Sequence, residues 1–203
     1  MSRVAEAVVK LHHDSDYTCD PAMRGPVPLQ KFFREVRVQH FSLGSLSQAT
    51  IAQHLLTSGA VFRQDTVTDM LEDATPLAGL CFRLGTTAIC YVREEDILPR
   101  RRFTAAHELG HALMHQLDMG RFLLDEAVDD DGRDTHQEIE KEANDFAAAL
   151  LMPEIVLRRR AEELRTEHGT CPRQALSYRL ASELLVSNEA MRYRLKNLGV
   201  GDE

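Results

Sequence analysis

Residues 103–115 read FTAAHELGHALMH, three histidines at four-residue intervals with a glutamate directly after the first. The stretch holds no proline, and Phe103, Leu109, Leu113 and Met114 supply apolar positions, so a helix is expected. In a helix, residues i and i+4 lie one turn apart on one face, so His107 and His111 can grip one metal ion together. Glu108 is rotated by about 100° from His107, beside an open coordination position rather than on the ion. There a carboxylate can take a proton from an attacking water and hand it to a leaving amine. HExxH on a helix therefore reads as catalytic Zn2+ with Glu108 as general base.

A catalytic zinc needs a third protein ligand. His115 lies two turns beyond His107 on the same helix, about 12 Å away at 1.5 Å per residue, too far to share the ion. It is expected to pack behind the ligands or to touch the transition state, a role for which Tyr91 and His136 are further candidates. The third ligand is sought in residues 138–153, EIEKEANDFAAALLMP, where Ile139, Ala143, Phe146, Ala147 and Leu150 form an apolar stripe. On the wheel Glu142 lies about 70° from the stripe's centre, nearer than Glu138 or Asp145, and Glu140 is taken to point away. A carboxylate edging a buried face needs a partner, and a metal would supply one. Glu142 is the expected ligand and Glu138 its main rival; the bland reading pairs Glu142 with an arginine.

The blocks RRRFTAAHELGHALMH (100–115) and EANDFAAALLMP (142–153) resemble the ImmA/IrrE-type metallopeptidases, whose signature continues ExxAxxFAxxLLMP some thirty residues after HELGH. The resemblance covers residues 70–155. It implies that His107, His111 and Glu142 are ligands and Glu108 the base. It further implies a zinc endopeptidase that cleaves a helix-turn-helix repressor and so switches on stress, mobile-element or defence genes after DNA damage. The first forty residues match no part of the pattern.

Around this centre the sequence predicts an α+β chain with a zincin-like core, a small hairpin packed on the HExxH helix and on a glutamate-bearing helix. Helices are expected over 4–11, 29–38 and 45–58, and a hairpin over LAGLCFRLGTTAICYV (77–92), turning at Leu84-Gly85-Thr86-Thr87. The glutamate helix should begin near Glu138 and stop at Pro153, with an Arg-rich helix and a helix-turn-helix-like end after it. The organisation expected is a regulatory extension at 1–44, the metallopeptidase core at 45–155 and a helical segment at 156–203 packed on the core.

With 203 residues, 43% apolar and 28% charged, the composition is that of a globular domain. The amino terminus lacks an apolar signal region, and no run approaches the roughly 20 apolar residues that span a bilayer, so no membrane partner is expected. Four cysteines with no CxxC pair suggest reduced thiols and a cytoplasmic setting. The net charge of −8 is concentrated at 125–145, where ten acids face Arg133 and Lys141, as expected of a solvated loop.

LASELLVSNEAMRYRLKNLGV (180–200) has helix-turn-helix spacing, and its second helix carries Arg192, Arg194 and Lys196. With Arg158, Arg159 and Arg160 these are candidate nucleic-acid contacts, single-stranded DNA being the conceivable activator; the alternative is a helix that packs or docks substrate. Cys19 and Cys90 are candidates for an inhibitory thiolate in the zinc's open position. Two rival readings are a non-proteolytic regulator or antitoxin with a structural zinc, which would have no need of Glu108, and a deformylase-like hydrolase, whose sequence context around a cysteine ligand is lacking.

Overall fold

The computed structural model describes residues 2–59, 68, 70–115, 132–169 and 172–201; of residues 132–136 and His168 only the backbone is described. Helices α1 (Arg3–Asp14) and α2 (Leu29–Glu35) precede strand β1 (Gln39–Leu43) and helix α3 (Gln48–Thr57). The hairpin β2 (Gly79–Leu84) and β3 (Thr87–Arg93) leads into α4 (Leu98–Met114). Helices α5 (Gly132–Leu151), α6 (Glu154–His168), α7 (Arg173–Leu184) and α8 (Asn188–Leu198) follow. The chain is thus α+β, rich in helix.

The hairpin turns at Gly85, whose φ of 61° suits a residue without Cβ. Unexpected from the sequence is β1, which pairs in parallel with β3 to give the order β1-β3-β2. QHFSL is too short and too polar to announce a strand by alternation alone. Its partner β3 has apolar residues on both faces because both are covered. Ala88, Cys90 and Val92 join the main core with α4, whereas Ile89 and Tyr91 face Leu46, Ile51 and Leu55 beneath α3.

The described residues before 45 contribute side chains to the same core. Leu11 of α1, Val27, and Phe32 and Phe33 of α2 are buried in one cluster with Leu109 of α4 and Phe146 of α5. The change in sequence character near residue 44 therefore marks no break in packing. The glutamate helix begins at Gly132, earlier than expected, so residues 132–145 of the acidic stretch are helical. Acids in the first turns of a helix complement its dipole. The remainder of that stretch lies outside the described residues. Among the described residues no helix is long and apolar enough to cross a membrane.

The carboxy-terminal helices close on the core. Arg160, only 1% exposed, donates to both Glu183 carboxylate oxygens at 3.0 and 2.8 Å and also pairs with Glu163, tying α6 to α7. Leu185 takes a left-handed conformation at the end of α7, and Ser187 caps α8 by accepting from Ala190 N at 3.1 Å. Two helices joined by a short turn thus stand where the sequence has helix-turn-helix spacing.

Helices α4 and α5 pack closely at Gly110. A Cβ placed on Gly110 would stand 3.0 Å from Cδ1 of Phe146. Gly110→Leu is therefore expected to wedge the two helices apart and cost about 1–3 kcal/mol, the usual penalty for overpacking. Urea unfolding checks this: the midpoint should fall, and an unchanged midpoint would show that the contact is slack.

Candidate metal centre

The HExxH segment lies in the second half of α4, so His107, His111 and His115 rise along one face, a turn apart. Pro99 sits in the first turn, where its missing N–H breaks no helical bond. The Nε2 atoms of His107 and His111 stand 2.9 Å apart. Across from them α5 presents Glu140, with Oε2 3.3 Å from His107 Nε2 and Oε1 3.3 Å from His111 Nε2. The three side chains offer donor atoms that all lie within 4.8 Å of one another.

These residues suit a metal ion. Ligands at 2.0–2.1 Å in a tetrahedron are separated by about 3.3 Å, which matches both Glu140–histidine distances, while the two Nε2 atoms stand somewhat closer at 2.9 Å. The outer nitrogens are also in order. His107 Nδ1 is 3.1 Å from Asn144 Oδ1, so Nδ1–H donates to the amide oxygen and the Nε2 lone pair faces Glu140. When the two Nε2 atoms carry protons instead, their hydrogen bonds, His107 first, hold the Glu140 carboxyl well below the ordinary carboxylate range. The donor set is thus two imidazoles and one ionised carboxylate.

Glu108 lies next to this set and is only 7% exposed. Burial pushes its carboxyl up to about 8; His107 opposes the shift and the charge on Glu140 adds to it. Room for this side chain comes from Gly79, at the start of β2. A Cβ there would stand 2.4 Å from Glu108 Oε1 and 2.4 Å from Thr104 Cγ2. The sequence reading assigned no role to Gly79, and only the packing reveals one.

The expected third ligand, Glu142, is not beside the histidine pair. It receives Arg3 Nη1 at 2.9 Å and lies 3.1 Å from His115 Nε2. The expectation that Glu140 points away does not hold: Glu140 and Glu142 flank the apolar stripe on opposite sides, about 75° and 85° from its centre, so the wheel does not favour Glu142. Pattern alone does not say which flank faces α4. A usable signal was present: counting back from Ala143, Phe146 and Ala147, the leading glutamate of ExxAxxFA falls on Glu140.

Other candidates fall away from the donor set. Strand alternation sends Tyr91 to the opposite face of the sheet, fully buried and 2.9 Å from His54 Nδ1. Its hydroxyl is occupied there and is not a transition-state contact. His115 is linked to His111 and Glu142 rather than to the open side of the donors. The side chain of His136 lies outside the described residues. Cys90 Sγ sits 2.8 Å from Cys81 Sγ and 3.6 Å from the backbone oxygen of Glu108, against the helix backbone and not at the imidazole tips. Burial raises its pKa well above the usual value, which disfavours a thiolate. Cys19 is half-buried near Tyr17 and Asp20, and burial raises its pKa too.

The arginines proposed for nucleic acid are largely engaged. Arg158 meets Glu154 at 2.7 Å and the Leu198 carbonyl at 2.9 Å, Arg159 meets Glu163 at 2.9 Å, and Arg160 is buried. Arg194 turns inward to the Met152 carbonyl at 3.2 Å. Helical spacing sets the Arg158–Glu154 and Arg159–Glu163 pairs, whereas the carbonyls of Leu198 and Met152 and the Glu183 carboxylate come from elsewhere in the chain. Arg192 and Lys196 remain exposed.

If Glu140 completes the donor set, Glu140→Ala should abolish stoichiometric zinc binding measured by metal analysis after dialysis. Glu138→Ala, on an exposed position of the same helix, should retain it. Full zinc occupancy in Glu140→Ala would remove that residue from the site.

A family model described as the IrrE N-terminal-like domain of the M78 peptidases matches residues 66–196, more than half of the chain. A comparison with curated proteins finds no match. The matched span contains α4 and α5, hence His107, Glu108, His111 and Glu140, and the chain belongs to the M78 peptidase family.

Proposed function

We propose that this M78 peptidase is a zinc-dependent endopeptidase with a zincin-like core. The observation that carries the reading is a buried carboxylate, Glu108, beside two histidines and a glutamate arranged as a three-donor cup. A site serving structure alone gains nothing from a carboxyl group buried at its edge, which costs free energy unless it is used. Bound zinc would supply Lewis acidity toward a peptide carbonyl and toward water.

Glu108 performs the proton transfers. Burial raises its proton affinity, which suits a group that must accept a proton at its carboxylate from water and then deliver it to the leaving nitrogen. His107 and His111, held through their Nδ1 atoms, keep their Nε2 lone pairs turned into the cup. Gly79 leaves the carboxylate its room. Among the described residues β2 is an edge strand, and an extended peptide added to that edge would pass the Glu108 pocket.

The substrate proposed is a helix-turn-helix repressor, cleaved in response to a signal such as single-stranded DNA. Support for this comes from the resemblance to ImmA/IrrE-type enzymes. If DNA is the signal, the exposed Arg192 and Lys196 suit phosphate contact better than Arg158–Arg160.

The test mixes zinc-loaded protein with the helix-turn-helix repressor encoded beside its gene, with and without single-stranded DNA. The wild type should cut the repressor. Glu108→Gln should keep its zinc and lose on the order of 10³-fold in rate, within the span expected for a general acid-base group. Gly79→Ala should lower kcat with zinc content unchanged, because the added methyl displaces Glu108. Equal cleavage by Glu108→Gln would contradict the assignment of the base. No cleavage by the zinc-loaded wild type in either condition would favour a non-proteolytic regulator.

A further inference from the structure

We infer that Arg3, on the amino-terminal helix α1 and outside the span matched by the family, is a positioning residue for the metal centre. It acts through Glu142 and His115 on His111. The inference rests on the reading of His107, His111 and Glu140 as metal ligands.

Four side chains form one continuous hydrogen-bonded line. Arg3 Nη1 donates to Glu142 Oε2 at 2.9 Å, and the same oxygen lies 3.1 Å from His115 Nε2. His115 Nδ1 is 3.0 Å from His111 Nδ1, and His111 Nε2 faces Glu140 Oε1 at 3.3 Å. Arg3 Nη2 also donates to the carbonyl oxygen of Met114. That carbonyl is one of the last four of α4, which have no partner within the helix. One guanidinium thus holds both the end of the histidine helix and the carboxylate that faces it.

The chemistry of the line permits one proton arrangement. For His111 to offer an Nε2 lone pair to a metal, its proton must be on Nδ1, which then donates to His115 Nδ1. His115 must accept there, so its own proton is on Nε2, and it donates to the Glu142 carboxylate. In the reverse arrangement His111 would carry its proton on Nε2, pointing into the donor cup. His115 would also turn a lone pair toward a carboxylate. Arg3 favours the first arrangement by holding the Glu142 carboxylate in place against His115 Nε2. Partners of this kind fix the tautomer and ring orientation of a ligand histidine and raise its basicity.

The geometry thereby assigns a role to two residues the catalytic reading leaves idle, Glu142 and His115. It also gives α1 a purpose. Val4, Ala7 and Val8 pack on the main core, and the seated helix brings Arg3 over the end of α4. Removing Arg3 should leave that packing intact while freeing Glu142 to rotate away from His115.

The experiment is chelator competition for zinc with the full chain, alongside thermal unfolding of the metal-free protein. Arg3→Ala and Glu142→Ala should each weaken zinc affinity about 10-fold or more, the lower end of what loss of such a partner costs. The double variant should be little worse than either single one, since both cut the same line. Arg3→Lys should recover part of the loss by restoring a cation beside Glu142. Val8→Ala, which trims the packing of α1 without touching the line, should lower the unfolding temperature and leave zinc affinity unchanged. Nitrogen-15 spectra of the zinc-loaded protein should show His111 protonated on Nδ1 and His115 on Nε2.

Wild-type affinity in Arg3→Ala would overturn the proposal, as would an equal loss in Val8→Ala, which would make the effect one of packing. His115 protonated on Nδ1 would overturn it as well. A wild type that binds no zinc would remove the metal reading itself, and with it this one.

Discussion

The contact of Gly110 with the ring of Phe146 sets the distance between the two helices on which the site is built. With no side chain on that face, α4 comes close enough to α5 for Glu140 to reach both Nε2 atoms at 3.3 Å. An added Cβ there would require the Phe146 ring to give by a few tenths of an ångström, and a large side chain would wedge apart a donor set that spans only a few ångströms. The centre therefore depends on packing before it depends on charge: Ala105, Ala106 and Leu109 of α4 and Ala147 and Leu150 of α5 are buried in the same core.

On that base α5 supplies polar groups at two-residue steps. Glu140 and Asn144, one turn apart, face the histidine pair, and Glu142 between them reaches His115. Each histidine of the pair is thus held at Nδ1 by a separate partner while Nε2 stays turned into the cup. On the sheet side, Gly79 gives Glu108 a pocket against β2. Helix, helix and strand each contribute one requirement: ligands, their orientation, and space for a proton carrier.

The most legible parts of the sequence were those whose signal is local. The four-residue spacing in HELGH sets both the helix and its paired imidazoles. Gly85 between two β-rich runs marks the hairpin, and Pro153 ends α5. Less legible were features decided by the neighbour. Glu140 and Glu142 edge the same stripe almost symmetrically, and only the placement of α4 makes one of them a partner of the histidines. Tyr91 and Cys90 are adjacent in sequence and face opposite layers. QHFSL becomes a strand because β3 has a free edge to pair with, Arg160 is absorbed by Glu183 of another helix, and Arg194 by the Met152 carbonyl between α5 and α6. Arg3 could not be connected with the site from sequence, since 139 residues separate it from Glu142.

The central claim is that His107, His111 and Glu140 together hold the metal ion that Glu108 serves. It is tested most directly by a crystal structure of the zinc-loaded protein, with anomalous difference maps recorded on both sides of the zinc absorption edge. The account predicts a single strong peak bonded to His107 Nε2, His111 Nε2 and a Glu140 oxygen at about 2.0–2.2 Å, with the Glu108 carboxylate beside it and unbound. A peak bonded to Glu142 or His115 in place of Glu140, or to Glu108 itself, would contradict it.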